Sequence, residues 1–251
     1  MPQEQPSVRY SLLDAIRAVA IVNMIAYHLC YNIFCVFGVW EEFCFDPIVK
    51  IWERLICCTF ILVSGMAINF SRHGYRRGII VLLCGWLITL ITVFVLPEQQ
   101  IWYGVLNLLG VGMILTTALK KPLSRISPLA GMIVFFLLFM LCYGIPYRSV
   151  GVFGIPPVKL PDTLYRIRAL AFLGFPDDRF SSGDYFPLLP WIFLYLCGFE
   201  LWRWIAKTGW DRFFTRRIPV LDFIGRHSLI IYMAHQPILY GLCRLIFRNI
   251  G

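Results

Sequence analysis

Apolar runs of about twenty residues, repeated along most of the chain, constrain this fold more than any other feature of the sequence. A helix needs about 20 such residues to cross the hydrocarbon core of a bilayer. The clearest run extends from Gly78 to Leu96 and contains no charged residue. The runs predict seven spans, at 12–34, 51–70, 78–96, 101–119, 128–145, 186–204 and 224–247. The sequence therefore predicts an all-α, polytopic transmembrane helix bundle.

The composition agrees with this fold class. Of 251 residues, 59% are hydrophobic and 15% are charged, whereas about a quarter of the residues of a soluble domain are charged. We therefore expect one transmembrane domain over residues 1–251, integral and multi-pass in the plasma (inner) membrane, with the lipid bilayer as its partner. The net charge of +9 lies in short loops rather than on one basic face, which excludes a nucleic-acid partner. The oligomeric state stays open, including a homo-oligomer.

The loop charges predict an orientation. Basic residues lie at the ends of the second, fourth and sixth predicted spans or in the loops that follow them: Arg72, Arg76, Arg77, Lys120, Lys121, Arg125, Arg203, Lys207, Arg212, Arg216 and Arg217. The opposite loops carry acidic residues: Glu41, Glu42, Asp46 and Glu98. Because Lys and Arg concentrate on the cytoplasmic side, the N-terminus is expected inside and the C-terminus outside. Residues 146–185 then form an external loop, in which Asp162 to Gly174 is predicted as a short amphipathic surface helix.

The first predicted span carries a polar stripe. Asp14 and Arg17 are three residues apart and share a helix face, so that they can pair. His28 follows about three turns later on nearly the same face, roughly 16 Å along the axis. Ionisable groups inside a membrane usually face a bundle interior or a cavity. The stripe is either a structural salt bridge with a histidine bonded to a neighbouring helix, or part of a site.

The last predicted span carries a second polar face, formed by Tyr232, His235 and Gln236. Pro237 cannot donate to the carbonyl of Met233, so we expect a kinked or opened helix beside the histidine. Freed carbonyls there would make a polar pocket. The alternative is a packing kink whose histidine only bonds a carbonyl.

Other polar residues are candidates for a site near the external side. Asn107 lies about 9 Å into the fourth predicted span. Asp184 and Tyr185 stand at the external mouth of the sixth, where an aromatic anchor with a helix cap is the simpler interpretation. Cys35 and Cys44 flank the first loop and could pair, although nothing in the sequence requires it. No P-loop, GxGxxG or HExxH occurs, and the four scattered histidines do not predict a metal site.

Five motifs occur in order along the chain. They are D-x-x-R at Asp14 to Arg17 followed by His28, S-G-M-A-I-N at Ser64 to Asn69, W-Y-G-V-L-N-L-L-G at Trp102 to Gly110, D-Y-F-P-L-L-P-W at Asp184 to Trp191, and G-R-H-S-L-I-I-Y-M-A-H-Q-P at Gly225 to Pro237. In these motifs the chain resembles the bacterial members of the heparan-α-glucosaminide N-acetyltransferase catalytic-domain family, which are transmembrane acyltransferases. The resemblance covers about residues 9 to 245.

This resemblance implies an integral membrane acyltransferase. Acetyl-CoA, a cytoplasmic co-substrate rather than a bound cofactor, would donate an acetyl group to an amine or hydroxyl of a glycan or small sugar-like acceptor outside. The residues expected to bind these substrates are Asp14, Arg17, Asp184, Tyr185 and Gln236.

Three residues are candidates for the chemistry that the resemblance implies. Either His28 or His235 would accept the proton of the acceptor, because imidazole titrates near neutral pH. Asn107 would donate a hydrogen bond to the developing oxyanion. A transient acetyl-histidine is the alternative to direct transfer.

The chain departs from the family's pattern at two positions. Asn107 stands where a histidine is expected, and Asn32 where an aspartate is expected. Asparagine keeps a hydrogen-bonding group there but cannot act as an acid or a base. Two other functions compete: a small transporter or permease, since broken helices with polar stripes also build transport paths, and a non-enzymatic membrane scaffold.

Overall fold

The computed structural model describes residues 9–152 and 157–247. Its α-helices are α1 Ser11–Tyr31, α2 Pro47–Ala67, α3 Gly74–Val95, α4 Val105–Ala118, α5 Lys120–Ser124, α6 Pro128–Cys142, α7 Leu188–Lys207, α8 Pro219–Arg226 and α9 Ser228–Ile246. Two short antiparallel strands, β1 Ser149–Val150 and β2 Val158–Lys159, lie between α6 and α7. The all-α prediction is confirmed. Parts of the predicted domain and of the predicted external loop lie outside the described residues.

Six helical segments are long and apolar enough to cross a membrane. They are Ser11–Val36, Pro47–Phe70, Gly74–Val95, Pro128–Tyr147, Leu188–Lys207 and Ser228–Ile246. Each corresponds to one of the predicted spans, which confirms a polytopic bundle. The last predicted span, 224–247, is interrupted at His227, where the backbone leaves the helical conformation between α8 and α9. Large apolar side chains face outward along these segments, among them Leu83, Phe94 and Phe136.

The fourth predicted span differs from the prediction. Helix α4 has 14 residues, about 21 Å at the helix rise, which is shorter than a hydrocarbon core of about 30 Å. Residues 101–104 are not helical, because Tyr103 has a positive φ of 55° and Gly104 is extended. Apolar composition alone cannot show such a break.

Helix α4 nevertheless runs back along α3. A Cβ added at Gly85 would lie 2.9 Å from the side chain of Asn107, at the start of α4. A Cβ added at Gly74 would overlap Thr117, near its end. The first turn of α4 is therefore level with the middle of α3. The end of α4 therefore lies level with the start of α3. The predicted orientation, with the N-terminus inside and the C-terminus outside, needs an odd number of membrane passages and stays a prediction.

The described chain divides into two compact units. Among the described residues, the first consists of 9–63 and 205–247, and the second of 64–152 and 157–204. In the first unit, α1 packs against α8 and α9, and Ile21, Met24 and Ile56 form a buried core between α1 and α2. The prediction of one transmembrane domain over 1–251 stays a prediction.

The second unit is built on α3, α4 and α7. Tyr195, fully buried on α7, donates a hydrogen bond to the carbonyl of Ser64. A Cβ added at Gly112 of α4 would lie 3.0 Å from the Tyr195 ring, so the two helices pack closely at this glycine. Leu189 is non-helical inside the first turn of α7, as expected beside Pro187 and Pro190.

The segment predicted as an external loop has little regular structure. The amphipathic helix predicted over Asp162 to Gly174 is instead two short 3₁₀ helices, Asp162–Arg166 and Arg168–Leu173, separated by the extended residue Ile167. Buried Tyr165 holds the first of them by donating to the carbonyl of Ile145. A continuous helix was therefore the wrong prediction.

Cys35 and Cys44, in the predicted first external loop, form a disulfide. Disulfides persist in oxidising compartments outside the cytosol. The pairing therefore supports the predicted outside location of this loop.

Candidate functional site

Two histidines that the sequence places on different helices meet in the first unit. The ring centroids of His28 on α1 and His235 on α9 are 4.9 Å apart, with the rings tilted by 52°. His235 is 8% exposed. Two imidazoles in contact inside an apolar bundle form an ionisable pair at a depth where such groups are rare.

Two amide side chains, those of Asn32 and Gln236, lie close to the two histidines in the sequence and bond to each other. Gln236, the neighbour of His235, donates a hydrogen bond of 3.0 Å from its Nε2 to Oδ1 of Asn32. Asn32 is fully buried and begins the π-helical turn Asn32–Val36 that extends α1. Such turns occur often at functional sites. Gln236 belongs to the second polar face predicted from the sequence, whereas Asn32 lies about one turn beyond His28, the last residue of the first.

Four buried polar atoms of this group have no hydrogen-bond partner among the described residues: His28 Nδ1, Asn32 Nδ2, His235 Nε2 and Gln236 Oε1. Buried polar atoms nearly always have a partner. The amide of Asn32 offers a donor, the amide of Gln236 offers an acceptor, and the other two atoms are ring nitrogens. The group can therefore donate to and accept from a polar ligand. We call these four residues the histidine–amide cluster.

The tautomer of His235 follows from its backbone contact. Its Nδ1 lies 2.5 Å from the carbonyl oxygen of Tyr232. Because a carbonyl oxygen only accepts, Nδ1 carries the proton in the neutral ring, and Nε2 is left with a lone pair. The histidine does bond a carbonyl, as the simpler interpretation expects, but its second nitrogen remains available as a base or nucleophile. Helix α9 continues through Pro237.

The predicted pair at the start of α1 is present. Arg17 Nη1 lies 2.8 Å from Asp14 Oδ1, and Arg9 Nη2 lies 2.7 Å from Asp14 Oδ2. One carboxylate thus binds two guanidinium groups, and the three residues keep a net positive charge. Gly225 on α8 contacts the backbone of Asp14, because a Cβ there would overlap its carbonyl oxygen.

Asn107, Asp184 and Tyr185 belong to the second unit. Asp184 Oδ2 accepts a hydrogen bond of 3.1 Å from the backbone amide of Val105, the first residue of α4. It therefore caps α4, whose exposed amides and dipole favour a negative group. Asn107, 3% exposed, lies in the same first turn, and its Nδ2 is unpartnered among the described residues.

Two predicted motifs are joined by backbone hydrogen bonds around this cap. Gly183 donates to Gln100 at 2.9 Å, and Phe186 donates to Tyr103 at 2.9 Å. The hydroxyl of Tyr185 donates to the carbonyl of Ala171 at 2.6 Å. The tyrosine thereby fixes the segment in which it lies.

Two buried carboxylates were not singled out from the sequence. Glu200 on α7 is fully buried and pairs with Arg203, and the i, i+3 spacing that marks Asp14 and Arg17 would have revealed it. Asp222 on α8 is 2% exposed, and its spacing gives no comparable signal. Among the described residues, no group of three or more His, Cys, Asp or Glu could hold a metal ion.

The fold defines a polytopic α-helical membrane protein with a buried histidine–amide cluster. Residues 9–237 match the family described as heparan-alpha-glucosaminide N-acetyltransferase, catalytic. Since the match covers most of the chain, the protein belongs to this family. No curated protein and no solved structure matches the chain. The family indicates a membrane acetyltransferase.

Proposed function

We propose that the protein transfers an acetyl group from cytoplasmic acetyl-CoA to an amine or hydroxyl of a sugar-like acceptor outside, with the histidine–amide cluster as the reaction centre. The contact between His28 and His235 carries this proposal. Acetyl transfer needs a group that takes a proton from the nucleophile, and a neutral imidazole does so near neutral pH. Membership in an acetyltransferase family supplies the reaction class.

The transfer proceeds in one of two ways. In direct transfer, the acceptor nitrogen or oxygen attacks the thioester carbonyl, its proton passes to Nε2 of His235 or to a nitrogen of His28, and the C–S bond breaks to release CoA. In the covalent route, one imidazole nitrogen attacks first, CoA leaves, and the acceptor then takes the acetyl group from the ring. In the direct route, the histidine that takes the proton then gives it to the CoA thiolate. In the covalent route, the second histidine takes the proton of the acceptor.

The amides would assist at the carbonyl oxygen. An Nδ2–H donor such as that of Asn32 stabilises negative charge on a tetrahedral intermediate when it points at that oxygen. Asn32 Nδ2 has no other partner among the described residues, while its Oδ1 is held by Gln236. This bond would orient the amide so that its donor remains available. Asn107 lies in the second unit, and its role as an oxyanion donor stays a prediction.

Different contacts support the two pairs of predicted substrate-binding residues. Asp14 and Arg17 lie at the start of α1, on the side predicted to be cytoplasmic, where the donor would arrive. Asp184 and Tyr185 shape the polar segment before α7, on the predicted external side. We propose the first pair for the donor and the second for the acceptor.

Purified protein in detergent tests this function with His28→Gln and His235→Gln, and with His227→Gln as the matched control. His227 is the exposed histidine between α8 and α9. Loss of a general base lowers the rate of CoA release in the presence of amino-sugar acceptors by about 10²- to 10⁴-fold. The control should change that rate less than twofold, and binding of acetyl-CoA by calorimetry should persist in all three variants.

Mass spectrometry after acetyl-CoA is added without acceptor separates the two routes, because the covalent route leaves an acetyl group on one histidine. Absence of acetyl-CoA binding to folded wild-type protein would overturn the proposal. Acceptor flux through vesicles without any acyl donor would instead favour the transporter hypothesis.

A further inference from the structure

A basic cavity of about 470 Å³ lies in the second unit, where α3 begins and α4 ends. Its volume falls within the range of about 300–1,000 Å³ that is usual for small-molecule sites. Its polar lining includes Ser71, Arg72, His73, Arg76, Thr116 and Lys120. The proposed reaction centre uses none of these residues.

The charge of this cavity is uncompensated. Arg72, Arg76 and Lys120 are exposed at its rim, and none of them forms a salt bridge within the described ranges. No described Asp or Glu lines the cavity. Lys120 Nζ lies 3.5 Å from the carbonyl oxygen of Asn69, which places the ammonium beside the cavity without neutralising it. Three cations around one concave surface attract an anion with more than one charge.

The start of α3 adds amide donors to the cations. His73 precedes this 22-residue helix, and its side chain makes no capping hydrogen bond. Free amides and the helix dipole favour an anion at such a position. Gly74 lines the cavity and packs on Thr117, where a Cβ would overlap the hydroxyl.

Two buried hydroxyls point independently to a polar ligand. Thr116 lines the cavity and is 1% exposed, yet its Oγ1 has no partner in the described part of the chain. The Oγ of Ser71, which also lines the cavity, is buried and has no hydrogen-bond partner among the described residues. Buried hydroxyls are normally hydrogen-bonded. Hydroxyl donors, guanidinium groups and helix amides together are the donor set that binds phosphate.

We propose that this cavity binds the phosphate groups of a nucleotide-type ligand. If the proposed function holds, on which this assignment rests, that ligand is the nucleotide end of the acetyl-CoA donor. The loop between α2 and α3 is predicted to be cytoplasmic, where the donor is. Inorganic pyrophosphate and anionic lipid headgroups share the same chemistry, so the test separates these sources.

A matched pair of double variants tests the site. Arg76→Gln with Lys120→Gln removes two cations from the rim. Arg77→Gln with Lys121→Gln removes the same charge from the adjacent positions, which are exposed and do not line the cavity. Calorimetry in neutral detergent measures binding of CoA, of inorganic pyrophosphate and of pantetheine, which carries no phosphate. Thermal unfolding confirms that both variants are folded.

The cavity variant should bind CoA about 5- to 25-fold more weakly, since each of the two exposed ion pairs to phosphate contributes up to about fivefold. The control variant should bind CoA within about twofold of wild type, and pantetheine affinity should not change in either. Thr116→Val should also weaken CoA and pyrophosphate binding, because it removes a buried donor and keeps the shape.

Equal CoA and pyrophosphate affinities in wild type and cavity variant would overturn the phosphate site. Loss of pyrophosphate binding in the cavity variant, with no CoA binding by wild type, would keep the site and reject the proposed function. Altered retention of phosphatidylglycerol in nanodiscs, with unchanged CoA binding, would assign the cavity to a lipid headgroup and overturn the donor assignment.

Discussion

Removing the positive charge from Arg203 should destabilise the second unit more than removing the negative charge from its partner. Glu200 is fully buried on α7, and Arg203 is one turn away, with 19% of its side chain exposed. The guanidinium also donates to three backbone carbonyls at the end of α5, those of Leu123, Ser124 and Ile126, at 2.9, 2.9 and 3.2 Å. The pair therefore fastens the turn before α6 to α7.

The magnitude follows from what each substitution leaves behind. Arg203→Met keeps much of the apolar stem but leaves the buried carboxylate of Glu200 without a counter-charge, which costs about 3–5 kcal/mol. Glu200→Gln leaves a neutral amide and a partly exposed guanidinium that keeps its carbonyl bonds, so we expect about 1–2 kcal/mol. Once Glu200 is neutral, Arg203→Met should cost only about 1–2 kcal/mol more.

Thermal unfolding in one detergent measures the four proteins of this double-mutant cycle. At about 2–4 °C per kcal/mol, Arg203→Met should lower the midpoint by roughly 6–20 °C, and the double variant should unfold at a higher temperature than this single variant. Additive effects in the cycle, or a larger loss in Glu200→Gln than in Arg203→Met, would refute the view that an uncompensated buried charge dominates.

One further substitution in each unit, with a matched control, tests the contacts described above. Gly225→Ala should cost at least about 1–3 kcal/mol, because the new Cβ would overlap the backbone of Asp14. Gly241→Ala on α9, which meets nothing within 4 Å, should be neutral or stabilise by up to about 1 kcal/mol, and equal unfolding midpoints for the two variants would contradict the contact. Asp184→Ala should cost about 1–2 kcal/mol by uncapping α4 at Val105. Asp184→Asn should recover most of that stability, and a midpoint as low as that of the alanine variant would argue against capping.

The helices were predictable because each apolar run has the length that a bilayer imposes. The run from Gly78 to Leu96 lies almost entirely in α3, Gly74–Val95. The start of α4 was not predictable, since it depends on the positive φ of Tyr103 and on a cap by Asp184, 79 residues further along the chain. Hydropathy measures composition over a window and contains no information on such distant contacts.

For the site, helical periodicity identified the residues but not their partners. The stripe on α1 and the face on α9 were both found by spacing, yet only the structure brings His28 to 4.9 Å from His235. The bond between Gln236 and Asn32 spans 204 residues, and no local pattern predicts it. Glu200 was missed because Arg203 was assigned to a loop, whereas α7 extends beyond it to Lys207.

The short length of α4 also has a consequence for the barrier that a membrane presents to polar groups. Where α4 begins, level with the middle of α3, polar backbone and the Asp184 carboxylate already lie within the protein. Helix α4 has 14 residues and is about 21 Å long, shorter than the roughly 30 Å of an unmodified bilayer core. Because a charge is far more costly in a medium of low dielectric constant than in a polar one, a thinner apolar layer means a lower electrostatic barrier.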